Sequence, residues 1–275
     1  MGVPRDSYLT TNDEVLGNKF LAEGFVVRPC ESLDVLHSLR DSILRDANSW
    51  LRSQGIKQTI SDLRDSHTSI PNSLVNDIRL HLFAKLNVDS GVRRSYFGLA
   101  ALLIQSLVGN ELAMQNKVNL SVQQPQDQTS ILQMHSDVWT GDSPFQVVLW
   151  VPLTDSTATN AMFLLPPMES RDAYSRARAG ELHSMAEIHD AYMNHVKLID
   201  VPYGSVLIFD SNCLHGNQLN TTSASRWSLN CRVASLLAPS TTPERRLGPY
   251  YTPVMIRPAT LMGLRAIEQL GLSEQ

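Results

Sequence analysis

Hydrophobic and polar positions fall into two regimes along the chain. Up to about residue 110, apolar residues recur at helical spacing. In residues 32–44, Leu36, Leu39 and Ile43 share one helix face, and Ser32 stands where an N-cap belongs. Residues 74–86 repeat the pattern with Ile78, Leu82 and Leu86. Residues 96–108 are nearly all apolar, which predicts a buried helix ended at Gly109-Asn110. After about residue 116 the period shortens. Residues 118–122 alternate, 131–135 read as a strand, and 145–151 are β-branched and aromatic up to Pro152. Residues 161–165 run into Pro166-Pro167, and strands resume at 197–201, 205–209 and 226–236. Residues 171–195 interrupt them as an insertion with one or two helices. The expected fold is mainly β with flanking helices, a jelly-roll, cupin-like or double-stranded β-helix core behind a helical N-terminal part. Residues 1–275 read as one domain, with 1–115 mostly helical support and 116–240 the β core. There is no internal repeat.

Composition narrows the function. The 275 residues are 43% apolar and 18% charged, enough for a full core. The net charge is -4 and no Lys/Arg run could neutralise phosphates, so nucleic acid is not an expected partner. No apolar stretch reaches membrane-span length, and Met1-Gly2-Val3-Pro4-Arg5-Asp6 holds no apolar signal core, so neither membrane nor export is expected. Cys30, Cys213 and Cys231 form no CxxC pair, which excludes a zinc knuckle and argues against a disulfide framework. A reduced, cytoplasmic setting fits. Cys213, two residues before a histidine singled out below, reads as a small buried hydrophobe.

The candidate chemistry lies in His135-Ser136-Asp137 and, about eighty residues later, in Gly204-Ser205-Val206-Leu207-Ile208-Phe209 followed by His215-Gly216. His135 and Asp137 are two apart and would project together from a strand. His215 would complete the set from a distant element, with Gly204 supplying the turn that feeds it. Two histidines and one carboxylate form a facial triad suited to Fe(II), and such a triad leaves metal positions open for oxygen chemistry. A tripeptide of this kind is common by chance; the joint pattern is what carries the reading. His189 and His195 are six apart and chelate poorly, and His37, His67, His81 and His183 read as surface or hydrogen-bonded structural histidines.

On these residues, together with Leu149-Trp150-Val151-Pro152-Leu153 and Arg226-Trp227-Ser228, residues 118–238 resemble the Fe(II)/2-oxoglutarate-dependent dioxygenases, in their phytanoyl-CoA-hydroxylase-like part. Residues 143–150 and 226–232 are similar to a narrower group, the oxygenases of carbohydrate and aminoglycoside gene clusters, streptomycin-biosynthesis type. The resemblance implies Fe(II), 2-oxoglutarate and O2, with His135, Asp137 and His215 as metal ligands and catalytic centre. Arg226 matches the arginine that grips the C5 carboxylate of 2-oxoglutarate, a fitting role for a planar guanidinium. Ser228 on the same strand face can add a hydroxyl, and Asn217 matches a position that often donates to the same carboxylate. Asn119 and Gln133 would either touch 2-oxoglutarate or belong to a core polar network. Asn230 and Arg232 share the face of Arg226 and would either touch substrate or cosubstrate or form a structural network. Trp150 reads as core packing. A histidine that relatives carry after the WxPL strand is absent from residues 160–170, and Asp137 argues against a halogenase.

The implied reaction couples decarboxylation of 2-oxoglutarate to hydrogen abstraction from a small-molecule substrate, giving hydroxylation, desaturation, epimerisation or ring closure. The narrower resemblance implies a sugar-derived or nucleotide-linked substrate in a biosynthetic pathway. Arg171, Arg176 and Arg178 of the insertion would either meet an anionic group or form a solvated helix face. Two other readings stay open: a cupin-like metal enzyme that does not use 2-oxoglutarate, and a catalytically silent sugar-binding barrel. Oligomeric state is open.

Overall fold

The computed structural model describes residues 8–239 and 242–269. The N-terminal hexapeptide read for a signal core lies outside the described residues. Helices α1 (Thr11–Glu23), α2 (Leu33–Ser53), α3 (Val75–Leu86), α4 (Ser90–Gly98) and α5 (Ala101–Val108) come first, with strand β1 (Phe25–Pro29) between α1 and α2. Strands β2 (Leu112–Gln115), β3 (Asn119–Gln123), β4 (Gln146–Pro152) and β5 (Met162–Leu164) follow, then α6 (Pro167–Arg178) and α7 (Met185–Tyr192). The chain continues through β6 (Lys197–Ile199), β7 (Ser205–Asp210), β8 (His215–Asn217), β9 (Arg226–Ser235), β10 (Tyr251–Met255) and α8 (Pro258–Gln269). Helical content is 46%, so the fold is mixed helix and antiparallel sheet rather than mainly β. No helix among the described residues is long and apolar enough to cross a membrane.

The larger sheet runs β1-β7-β4-β9-β2-β10, with β3 also paired to β9, and the smaller runs β6-β5-β8. Strand alternation gives each face its job. Leu149, Val151, Ile208, Trp227 and Leu229 turn outward against Leu36, Ile43, Leu82 and Tyr96 of the helical layer. Val148, Trp150, Leu207 and Phe209 turn the other way and meet Met162, Leu164 and Ile199 of the small sheet. The far face of the small sheet carries Phe163 and Leu165 against Ala173, Ile188 and Tyr192 of α6 and α7. Helices thus cover both outer faces, and the space between the sheets is where inward polar side chains collect.

Several elements match the sequence pattern. The Ser32 hydroxyl accepts from Val35 N at 3.4 Å and caps α2, whose stripe buries Leu36, Leu39, Ile43 and Ala47. α3 buries Val75, Ile78, Leu82 and Leu86. Gly204 opens β7 with φ +94°, a conformation that strains other residues. The strand β1 was hidden in the stretch read as helical; it extends the large sheet beside β7 in the register Phe25↔Phe209.

Two elements differ. The expected helix over 96–108 is broken: α4 ends at Gly98, Ala100 sits at φ −149°, and α5 restarts, burying Ile104 while Leu102 stays exposed. The restart is fixed by a remote group. Glu31 Oε1 accepts from Leu102 N at 2.7 Å, placing a carboxylate on the positive end of α5. Residues 131–134 form no strand; this segment meets β8 through an isolated bridge between His135 and His215 and through hydrogen bonds of Ser130 and Leu132 to Asn217, without a ladder.

Candidate metal centre

His135, Asp137 and His215 converge despite the missing strand, with one ligand atom from each lying within 4.8 Å of the others. Backbone pairing brings the histidines together: His135 N donates to His215 O and His215 N to His135 O, both at 2.9 Å. Their rings stand 4.3 Å apart. Asp137 is delivered by a tight turn rather than by strand parity. It adopts helical angles at the head of a 3-10 turn over Val138–Thr140, and its carbonyl accepts from the Thr140 hydroxyl at 2.7 Å.

The ring nitrogens are already sorted. His135 Nδ1 lies 2.9 Å from Gln133 O, and His215 Nδ1 lies 2.9 Å from Cys213 O. A carbonyl only accepts, so each Nδ1 carries the proton and each Nε2 offers its lone pair. Burial holds His215 well below an ordinary histidine, at about 4, which leaves it neutral and ready to ligate. Cys213 contributes its carbonyl; its thiol packs in the intersheet cluster beside Phe209.

Asp137 is 1% exposed and is held by Arg232, whose Nη2 reaches Oδ1 at 2.5 Å and Nε reaches Oδ2 at 3.1 Å. Burial pushes the Asp137 carboxyl up, but His215, Arg232 and His135 outweigh it and leave it below the usual carboxylate range. Arg232 also pairs with Asp142 at 2.9 Å, and Asp142 with Arg245 at 3.3 Å. Of the two readings open for Arg232, the geometry supports the structural network.

Arg226 sits on β9 facing the same intersheet space. It is 3% exposed, and no carboxylate among the described residues pairs with it. Its Nη1 donates to Asn160 O at 3.2 Å and its Nη2 to Ser121 Oγ at 3.4 Å, while Nε has no partner. Its guanidinium carbon lies 5.8 Å from the Trp150 ring, so Trp150 both packs the core and floors the guanidinium. Burial alone pulls the Arg226 guanidinium down to about 10. Ser228, two residues on, is fully buried with an unpartnered hydroxyl. A buried cation without a counter-charge and a buried hydroxyl without a partner are an expensive arrangement unless an anionic ligand completes it. A cavity of about 380 Å³ is lined by the triad, Arg226 and Arg232, with Trp150 and Phe209 as apolar wall and Asn76, Arg79 and Asn230 as further polar lining.

The remaining expectations divide. Asn230 lines the cavity, and its Oδ1 accepts from Asn119 Nδ2 at 3.1 Å, so Asn119 supports Asn230 rather than lining the cavity itself. Gln133 is exposed and its side chain lines a separate cavity with Met134, Met185 and Met193; without a strand, its parity with His135 has no meaning. Asn217 lines the cavity, yet both ends of its amide are engaged by backbone: Oδ1 accepts from Leu132 N at 2.5 Å and Nδ2 donates to Ser130 O at 3.1 Å. The Nδ2 amide keeps a second N–H. Ser121 was missed, although it sits opposite Ser228 in the β3–β9 register, one step in phase from Asn119. Asp142 and Arg245 were missed too, and no local pattern marks them. Arg176 pairs with Glu181 at 3.0 Å on an exposed helix face, the solvated alternative.

Two imidazoles and a carboxylate, close to a buried guanidinium, are a donor set that could hold a metal ion of the non-haem iron kind. Residues 28–228 match the phytanoyl-CoA dioxygenase (PhyH) family, and the chain belongs to that family, within the Fe(II)/2-oxoglutarate oxygenase superfamily. The cofactor set of that superfamily is Fe(II), 2-oxoglutarate and O2. No curated protein matches the chain. Solved structures share the fold. One is the nickel complex of ThoJ, a non-heme monooxygenase, with TM-score 0.53 and 19% identity, over 92% of this chain and 94% of that one. Another is EctD from S. alaskensis in its apoform, with TM-score 0.50 and 18% identity, over 90% and 86%. A third is EvdMO1, with TM-score 0.54 and 16% identity, over 80% of this chain and 49% of that one.

Proposed function

We propose that this chain is an Fe(II)- and 2-oxoglutarate-dependent oxygenase acting on a small polar molecule, its two facing sheets forming a double-stranded β-helix in one oxygenase domain. The observation that carries the reading is Arg226, a buried guanidinium with no acid partner among the described residues, sharing one cavity with the triad. His135, Asp137 and His215 would hold the metal, and the donor set of two neutral imidazoles and one carboxylate fits Fe(II). Arg226, with the Ser228 hydroxyl, would grip the distal carboxylate of 2-oxoglutarate in a bidentate pair. Iron with 2-oxoglutarate and O2 supplies oxidative decarboxylation to succinate and CO2 and the oxidising power to remove a substrate hydrogen.

The protein's share is placement and dryness. Trp150, Val148, Met162 and Phe209 wall the cosubstrate space and exclude water. Arg232 occupies both Asp137 oxygens, so the carboxylate is oriented before any metal arrives. The cavity lining offers the amide nitrogens of Asn76 and Asn230 and the Arg79 guanidinium, which also donates to Asn76 Oδ1, and its acids, Asp137 and the neighbouring Asp142, are already paired with arginine. That composition favours an acceptor-rich substrate, such as a sugar bearing hydroxyl, carboxylate or phosphate groups, over a polycationic aminoglycoside. Hydroxylation is the leading outcome, with desaturation, epimerisation or cyclisation as variants of the same hydrogen removal. Three free cysteines, two of them buried, suit a reducing, cytoplasmic setting.

The test is O2-dependent succinate formation from 2-oxoglutarate by the Fe(II)-loaded protein, screened over sugar phosphates, uronic acids, amino-sugars, amino acids and acyl-thioesters. Succinate that requires Fe(II) and disappears in His135→Ala supports the reading. Turnover of a substrate without 2-oxoglutarate favours the cupin-like metal enzyme, and absence of metal binding favours the silent barrel.

A further inference from the structure

The segment carrying His135 and Asp137 has no strand of its own, yet it sets two of the three candidate metal ligands. It is held by β8. Asn217 N donates to Leu132 O at 3.0 Å, while its side chain accepts from Leu132 N at 2.5 Å and donates to Ser130 O at 3.1 Å. Three residues further on, His135 and His215 exchange their own backbone pair at 2.9 Å. Gly216 lies between these two attachments, and the segment runs directly over it. A Cβ at Gly216 would fall 2.7 Å from Leu132 O, 2.8 Å from Phe163 Cζ and 3.1 Å from Gln133 O. The last of these carbonyls is the one that accepts from His135 Nδ1 and so aims Nε2 at the centre.

A single path therefore runs from the Asn217 amide through Leu132 and Gln133 to the His135 ring. Asparagine suits the task because its short side chain offers one acceptor and one donor, matching a backbone N–H and a carbonyl two residues apart. Aspartate keeps only the first bond and faces Ser130 O with a second acceptor. Alanine keeps neither. We propose that Asn217 is a positioning residue for the metal centre: its amide, over the bare backbone of Gly216, clamps residues 130–135 to β8 and so fixes where His135 and Asp137 present their ligand atoms. This rests on the triad being the metal site.

The test measures Ni(II) affinity by competition with a chromophoric chelator, and then 2-oxoglutarate affinity at saturating Ni(II), in the full chain. Partners that orient metal ligands typically change metal affinity by about 10- to 100-fold, and that loss is expected in Asn217→Ala and independently in Gly216→Ala. Asn217→Asp should fall between wild type and Asn217→Ala. The Co(II)-loaded variants should show altered ligand-field bands, a signature that mere loss of stability would not produce. At saturating nickel, 2-oxoglutarate affinity should stay at the wild-type value. A drop in that affinity in Asn217→Ala, with or without weaker metal binding, overturns the proposal, because the amide would then be reading the keto acid. Unchanged nickel affinity in folded Asn217→Ala or, if that variant does not fold, in Asn217→Asp, overturns it equally. If wild type binds nickel but not 2-oxoglutarate, the oxygenase reading fails while the clamp is still judged on metal affinity.

Discussion

Arg226→Met separates two consequences that usually travel together. In the ligand-free protein the guanidinium is buried against a carbonyl at 3.2 Å and a hydroxyl at 3.4 Å, with no anion. Burial alone lowers its pKa from 12.5 to about 10. At about 1.4 kcal/mol per pKa unit, that fall amounts to about 3 kcal/mol against the charged form. Methionine fills a similar volume and removes the charge. It also forfeits two neutral-acceptor hydrogen bonds, each worth about 1 kcal/mol. The balance is near zero or slightly favourable, so the ligand-free variant should melt at the wild-type temperature or a few degrees above it. Cosubstrate binding moves the opposite way. Two charge-assisted bonds to a carboxylate, at about 1.5–3 kcal/mol each, make 2-oxoglutarate affinity fall by between about 10²- and 10⁴-fold. Differential scanning fluorimetry with and without Ni(II) and 2-oxoglutarate reads both effects. Wild type should gain stability with 2-oxoglutarate, about 2.7 kcal/mol at a hundred times Kd, and the variant should gain almost none at the same concentration. A variant that melts many degrees lower and still responds to 2-oxoglutarate would refute the reasoning, because Arg226 would then be a structural donor.

Other outcomes follow from the same site. Arg232→Gln leaves Asp137 and Asp142 buried with one cation fewer, so the metal-free protein should lose about 3–5 kcal/mol; Ni(II), supplying the missing charge, should raise its melting temperature more than it raises that of wild type. Burial lowers His215 from 6.5 to about 4, so in chelator-stripped protein the unfolded chain takes up a proton that the folded one refuses. Stability should therefore be at its plateau above about pH 6.5 and fall by about 3 kcal/mol as pH drops to about 4, read by urea unfolding across that window; a flat profile would contradict a buried neutral imidazole. His135→Ala should abolish stoichiometric Fe(II) in metal analysis of the purified protein while circular dichroism stays native, since His135 is only partly buried.

The joint spacing of His135, Asp137, His215 and Arg226 was readable because each group's chemistry is carried by residue type and the turns feeding them by glycine. Strand parity worked along β9, where Arg226, Ser228, Asn230 and Arg232 do share a face and Trp227, Leu229 and Cys231 turn to the helices. It failed at Gln133, because residues 131–134 are held by side-chain and bridge contacts to β8 and not by a ladder. The partners of Asp137 were invisible for a related reason. Asp142 and Arg245 meet Arg232 only through tertiary folding, and nothing in their local sequence announces an ion-pair chain. The break between α4 and α5 escaped periodicity because a carboxylate from Glu31, far away in sequence, supplies the cap. Hydrophobic pattern reports which face is buried; it does not report which remote group completes an exposed helix end.

The most direct measurement is an anaerobic titration of the Fe(II)-loaded protein with 2-oxoglutarate, followed by absorption. A charge-transfer band should develop to one equivalent, vanish in His135→Ala, and in Arg226→Met appear only at concentrations at least about a hundredfold higher. A wild-type protein that binds iron but never develops the band, or an Arg226→Met variant that develops it at the wild-type concentration, would contradict a triad and a guanidinium built around one keto-diacid.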